Sequence, residues 1–257
     1  MCAMTSRRAL LLASLILPAL AGAAPRRPLA VAAAANLRPT IDAVARAFEA
    51  ERSDAEVRVT YGASGTLHAQ IAAGAPFDVF LSADRESPRA LVAAGLASGE
   101  AVYAIGQLAV WVPHGSPLDL ARDGLAALAR PDVRRVAIPN PALAPYGRAA
   151  VQALGDAGAL DAVRPKLVLG ESVAQTAHFA RSGAADAAFV PRSLALLPAL
   201  AGAGRAVPVP SRAHAPIEQS AVLLGRARSP DLARAFLAFL RGEKGRALLA
   251  GAGYGLP

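Results

Sequence analysis

Short apolar runs alternate with stretches whose apolar residues recur every three or four positions, and that alternation sets the fold class. Leu29 to Ala35 is wholly apolar and stops at Asn36. Leu37, Ile41, Val44, Ala45 and Phe48 then fall on one helical face, which reads as strand, cap and helix. Val57, Val59 and Tyr61 alternate with polar residues as a second strand, Gly62-Ala63-Ser64-Gly65-Thr66 makes a tight loop, and a short helix runs through Ile71. Phe77 to Leu81 is a third strand and Arg85 to Ala94 a third helix. This β-α-β-α-β-α order calls for a parallel sheet covered on both faces.

Beyond Gly95 the pattern changes. Ala101 to Ile105 and Leu108 to Val112 read as two extended pieces about Gly106-Gln107. A second series follows, with strands at Val133–Ile138, Leu167–Leu169 and Asp186–Val190 and helices at Tyr146–Leu154 and Val173–Arg181. Ile217 to Leu224 is extended again, and Ser229-Pro230 opens a helix carrying Leu232, Ala235, Phe236, Phe239 and Leu240. The economical architecture is α/β with two lobes, each a mainly parallel sheet flanked by helices, joined by two extended crossings. Lobe I takes residues 24–106 and 217–257, and lobe II takes 107–216. Two lobes enclose a cleft, and ligands of open α/β sheets sit beyond the carboxyl ends of the strands, where loops feed helix starts. Trp111 lies near a crossing, a place from which its fluorescence would report closure.

Residues 1–23 stand apart. Arg7 and Arg8 precede an apolar run from Ala9 to Ala21, and Ala21-Gly22-Ala23 fits the small-x-small rule for signal cleavage, so a secreted or periplasmic chain beginning at Ala24 is expected. The run is too short to span a bilayer. Cys2 is the only cysteine and lies ahead of that run, which leaves no disulfide, no thiolate metal site and no cysteine placed for lipid attachment. Loss of Arg7 and Arg8 lowers the formal charge from +8 to +6. The arginines are scattered and no aromatic-interleaved basic stripe occurs, so a nucleic-acid partner is not expected.

Candidate chemistry sits at the strand-to-helix junctions. Asn36 can cap the helix that follows, with Pro39 in its first turn, or present its amide to a ligand. Ser64, between Gly62 and Gly65, lies in a plain turn or in a loop whose backbone N–H groups can approach an anion. Ser172 and Gln175 fit a capping box, which leaves the amide of Val173 to water or to an anion. Tyr146, in Pro145-Tyr146-Gly147, opens another helix and is packing or a cleft donor. An enzyme needs a nucleophile and a base: Ser64, His68 and Asp78 or Asp84 form a conceivable set, yet no Gly-x-Ser-x-Gly elbow is present and no histidines are spaced as a metal pair.

The run Ala32-Ala33-Ala34-Ala35-Asn36-Leu37, then Tyr61-Gly62-Ala63-Ser64-Gly65-Thr66-Leu67, then Gly74-Ala75-Pro76-Phe77-Asp78-Val79-Phe80-Leu81-Ser82-Ala83-Asp84, resembles the periplasmic molybdate-binding proteins of ABC uptake systems. The likeness continues through Asn140-Pro141, Ala144-Pro145-Tyr146-Gly147, Glu171-Ser172-Val173-Ala174-Gln175 and Gly253-Tyr254-Gly255. It implies the two-lobe periplasmic binding protein fold and a receptor, not an enzyme, that takes up molybdate or tungstate without a cofactor, works as a monomer and serves a membrane permease. The implied ligand residues are Asn36, Ser64, Tyr146 and Val173, with Ala35 through its backbone; molybdenum enters only as the oxyanion. One branch of the family takes its tyrosine from a strand late in lobe II, where this chain has Val190-Pro191, and the other takes it from Ala-Pro-Tyr-Gly, as Tyr146 does here. A receptor for sulfate or another tetrahedral oxyanion is the alternative, with a secreted serine hydrolase behind it.

Overall fold

The computed structural model describes residues 26–257, so the segment read as a signal peptide lies outside the described residues. β1 (Arg27–Ala34) runs through a short 3-10 turn into α1 (Arg38–Glu51), and β2 (Ala55–Gly62), α2 (Ser64–Ala72), β3 (Val79–Leu81) and α3 (Glu86–Ala93) follow. β4 (Ala97–Gly106) and β5 (Leu108–Pro113) are separated by Gln107 alone. Next come α4 (Leu120–Asp123), β6 (Val136–Pro139), α5 (Pro145–Asp156), α6 (Leu160–Val163), β7 (Leu167–Gly170), α7 (Val173–Arg181) and β8 (Ala187–Pro191). The chain closes with α8 (Arg192–Ala195), α9 (Pro198–Ala201), β9 (Gly204–Pro208), β10 (Ile217–Leu224), α10 (Pro230–Arg241) and α11 (Glu243–Gly251). No helix among the described residues is long and apolar enough to cross a membrane.

The strands form two five-stranded sheets, ordered β2-β1-β3-β10-β4 and β7-β6-β8-β5-β9. β1 pairs in parallel with β2 and β3, and β6 with β7 and β8. β10 is antiparallel to β3 and β4, and β5 to β8 and β9. The sheets are therefore mixed, because each strand that arrives by a crossing enters its sheet against the direction of the β-α-β series. β1 is buried from Val31 onward on both faces, as a central strand between helical layers must be. Phe48 of α1 stacks edge-on against Phe236 of α10 at 5.3 Å, so the last helices return to cover the first sheet. Behind them the C-terminal tail pairs Ile105 with Gly255 and brings Tyr254 beside the end of β1.

Candidate functional site

Four strand ends feed one place, two from each sheet. After Ala34 the backbone tightens into a 3-10 turn over Ala35–Leu37, and a helical start leaves its first amides, those of Ala35 and Asn36, without an acceptor inside the turn. The Asn36 side chain does not cap α1, whose N-cap is Leu37. It is buried, so its donors must be met internally. Nδ2 donates to Gln219 Oε1 and to the Tyr254 hydroxyl, both at 3.0 Å. After Gly62, α2 begins at Ser64 with no side-chain cap. Ser64 Oγ accepts the amide N–H of Ala83 at 3.0 Å, which leaves its own proton to give.

In the second half, α5 starts against the end of β6. A Cβ on Gly147 would sit 2.1 Å from the Pro139 carbonyl oxygen, so only glycine lets this helix start so close. That approach places the buried Tyr146, whose hydroxyl oxygen accepts Gln219 Nε2–H at 3.1 Å. After β7, Ser172 caps α7 by accepting the Gln175 N–H at 3.3 Å, while Gln175 Oε1 reaches back to the amide of Glu171 at 2.6 Å. Val173 N–H, at the first helical position, has no acceptor within α7.

Ala35, Asn36, Ser64, Tyr146 and Val173 all line a single cavity of about 200 Å³, its open mouth included, together with glycine, alanine and proline. No carboxylate, ammonium, guanidinium or imidazole is in that lining. Three helix starts and one 3-10 turn meet there, each with a partial positive charge on its free amides. The halves touch around it: Gly65 N–H donates to the Leu143 carbonyl at 2.9 Å, and Ser193 Oγ donates to the Asn36 carbonyl at 3.2 Å. At the rim Arg148 of α5 pairs with Asp84 beyond β3 at 2.6 Å. Beside the rim, a larger space of about 580 Å³ is lined by Asp84, Glu86 and Glu218 as well as Arg85 and Arg148, a mixed-charge surface unsuited to a bare dianion.

Burial pushes the Tyr146 and Tyr103 phenols well above their ordinary range and moves Tyr254 up to about 12. All three therefore remain hydroxyl donors at neutral pH. The hydrolase set is not assembled. Ser64 Oγ meets the Ala83 amide and no imidazole, Asp78 is held by the amides of Ala30 and Arg228, and Asp84 by Ser82, Ser87 and Arg148. Trp111 is buried within the second half, donating Nε1–H to the Leu200 carbonyl at 3.0 Å, and it is absent from the cavity wall. Pattern reading missed Gln219, Tyr254, Tyr103 and Ser193, which hold the site from behind. The one signal for Gln219 is an amide on the alternating positions of β10 otherwise held by the apolar Ile217, Ala221 and Leu223.

The family described as bacterial extracellular solute-binding protein matches residues 29–255. The molybdate-binding protein ModA of Azotobacter vinelandii is 35% identical over 239 residues, covering 92% of this chain and 93% of that protein. That of Rhodobacter capsulatus is also 35% identical, over 247 residues, with 95% and 92% covered. The solved periplasmic molybdate-binding protein of Azotobacter vinelandii superposes with a TM-score of 0.82 at 35% identity, over 89% of this chain and 99% of that one.

Proposed function

The chain belongs to the bacterial extracellular solute-binding proteins, among the periplasmic molybdate-binding proteins, and from that premise we propose that it captures molybdate in the cavity between its halves and hands it to an ABC permease. The observation that carries the proposal is a lining free of carboxylates and of cationic groups, to which both sides contribute hydroxyls and helix-start amides. Molybdate is a tetrahedral dianion that carries no proton at neutral pH, so it accepts hydrogen bonds and offers none. The Ser64 and Tyr146 hydroxyls and the free amides of Ala35, Asn36 and Val173 suit that demand. A hydrogen bond to a charged group contributes roughly 1.5–3 kcal/mol, so five such bonds can offset a large share of the ion's dehydration without a counter-charge. Tungstate, with the same shape and charge, is the expected second ligand.

In this mechanism lobe I (24–106 and 217–257) and lobe II (107–216) move about the two crossings. The first supplies Ala35, Asn36 and Ser64, and the second supplies Tyr146 and Val173. An ion that touches both lobes binds the closed arrangement better than the open one, and this difference in affinity drives closure. The closed monomer is then what the permease recognises. Calorimetry of the mature protein with molybdate, tungstate, sulfate and phosphate tests the proposal. Heat from molybdate and tungstate with little from phosphate is expected. Tight sulfate binding with none for molybdate would transfer the site to the sulfate alternative.

A further inference from the structure

We infer that Gln219 is a positioning and specificity residue of this site: it locks the Tyr146 hydroxyl as a donor into the cavity, so that an oxyanion retaining a proton finds no acceptor in this phenol. The inference deepens the molybdate proposal and rests on it. It comes from following each proton outward from groups whose role cannot change. The Asn36 carbonyl can only accept, and it lies 2.8 Å from the Tyr254 hydroxyl and 3.2 Å from Ser193 Oγ. Tyr254 and Ser193 are themselves 3.0 Å apart, so the single Tyr254 proton is spent on that carbonyl or on that serine. Tyr254 must then accept from the Asn36 side chain, which identifies the end of the carboxamide facing it as Nδ2. The same Nδ2 faces Gln219 at 3.0 Å, so the Gln219 atom there is Oε1; the Tyr103 hydroxyl lies 3.4 Å from that oxygen but has the Ser82 carbonyl as its nearer acceptor, at 3.1 Å. Nε2 is left pointing at Tyr146, where it donates at 3.1 Å.

Occupied as an acceptor, the Tyr146 oxygen has its own proton left. The phenol and the Asn36 side chain beside it both line the cavity, and there that proton is available to a ligand. Ser64 is locked in the same sense by a different obligate group, the Ala83 amide N–H. Both hydroxyls of the lining are thus held as donors, one by the backbone amide of Ala83 in the cavity wall and one by Gln219 from behind it. A fully deprotonated tetrahedral anion gains from both. Hydrogen phosphate, which carries a proton to donate, can pass it to neither hydroxyl without turning that hydroxyl around against its partner.

Gln219 itself does not line the cavity, so its effect on the ligand passes through Tyr146. The test is a double-mutant cycle with Gln219→Met, which keeps the side-chain length and removes both polar ends, and Tyr146→Phe. Calorimetry with molybdate should show each single variant roughly tenfold weaker or more, and the double variant about as weak as Tyr146→Phe alone. The ratio of molybdate to phosphate affinity should also narrow in Gln219→Met, because the released phenol can accept. Losses that multiply in the double variant, or a ratio equal to that of the native protein, would overturn the inference. Should Gln219→Met fail to fold, Gln219→Asn retains the amide but withdraws it from the phenol, and the same cycle applies. A native protein that binds no molybdate refutes the function proposal instead. The Gln219 link is then judged by the cycle on thermal unfolding, where additive midpoint losses would overturn it.

Discussion

Gly106, the last residue of β4, has no positive backbone angle to explain it, yet alanine cannot enter quietly. A Cβ there would lie 2.3 Å from the Tyr146 hydroxyl oxygen, 2.9 Å from Gln219 Nε2 and 3.0 Å from Ile217 Cγ2. The phenol oxygen must retreat by about 1 Å to reach ordinary contact. The ring is buried and its helix start is pinned on Pro139 through Gly147, so the retreat tilts α5 or parts the halves. Overpacking of this kind costs roughly 1–3 kcal/mol in stability. A donor misplaced by about 1 Å weakens recognition by roughly tenfold to a hundredfold. Gly106→Ala is therefore expected to lower both the unfolding midpoint and, by calorimetry, the affinity for molybdate. The closest clash is with the hydroxyl, so the alanine should destabilise less in a Tyr146→Phe background. Affinity within about twofold of the native protein would refute the packing argument.

Ser64→Ala removes one donor to the ion and orphans the Ala83 amide; molybdate affinity should fall roughly 10- to 150-fold in a titration, whereas His68→Ala, remote from the lining, should leave it unchanged. Arg148→Ala breaks the partly exposed rim pair with Asp84, contributing less than about 1 kcal/mol, so affinity should drop by under about fivefold and the deficit should shrink in high salt. The buried phenols have folded pKa values above the ordinary value of about 10, so the stability they contribute is complete below that pH and is lost as pH rises through the folded values, for Tyr254 about 12. Thermal unfolding followed across alkaline pH should show this tyrosine-linked loss only above pH 10, and Tyr254→Phe should reduce it.

The β-α-β series was legible because its signals are local. β1 is an unbroken apolar run, α1 repeats at helical spacing, and Ser172-x-x-Gln175 announces the start of α7. β9 escaped notice because Gly204–Pro208 is an edge strand whose middle residues face water, so it carries no alternation to read. β3 begins at Val79, not Phe77, since Asp78 turns inward to take the amides of Ala30 and Arg228. Ala35, Asn36, Ser64, Tyr146 and Val173 stand just past strand ends, where topology alone brings them near one another. Their supports could not be read this way. Gln219 is 183 positions from Asn36 and Tyr254 is 218, and only tertiary folding sets them side by side. The role given to Asn36 shifts for the same reason. Its side chain looks inward to these partners, while the backbone at Ala35 and Asn36 supplies the free amides.

The most direct measurement is the molybdenum anomalous signal from crystals of the mature protein grown with molybdate. One strong peak inside the small cavity, with oxygens in hydrogen-bond reach of the Ser64 and Tyr146 hydroxyls and the Val173 amide, is the predicted result. A peak in the mixed-charge space at the rim, or none between the halves, would contradict the account.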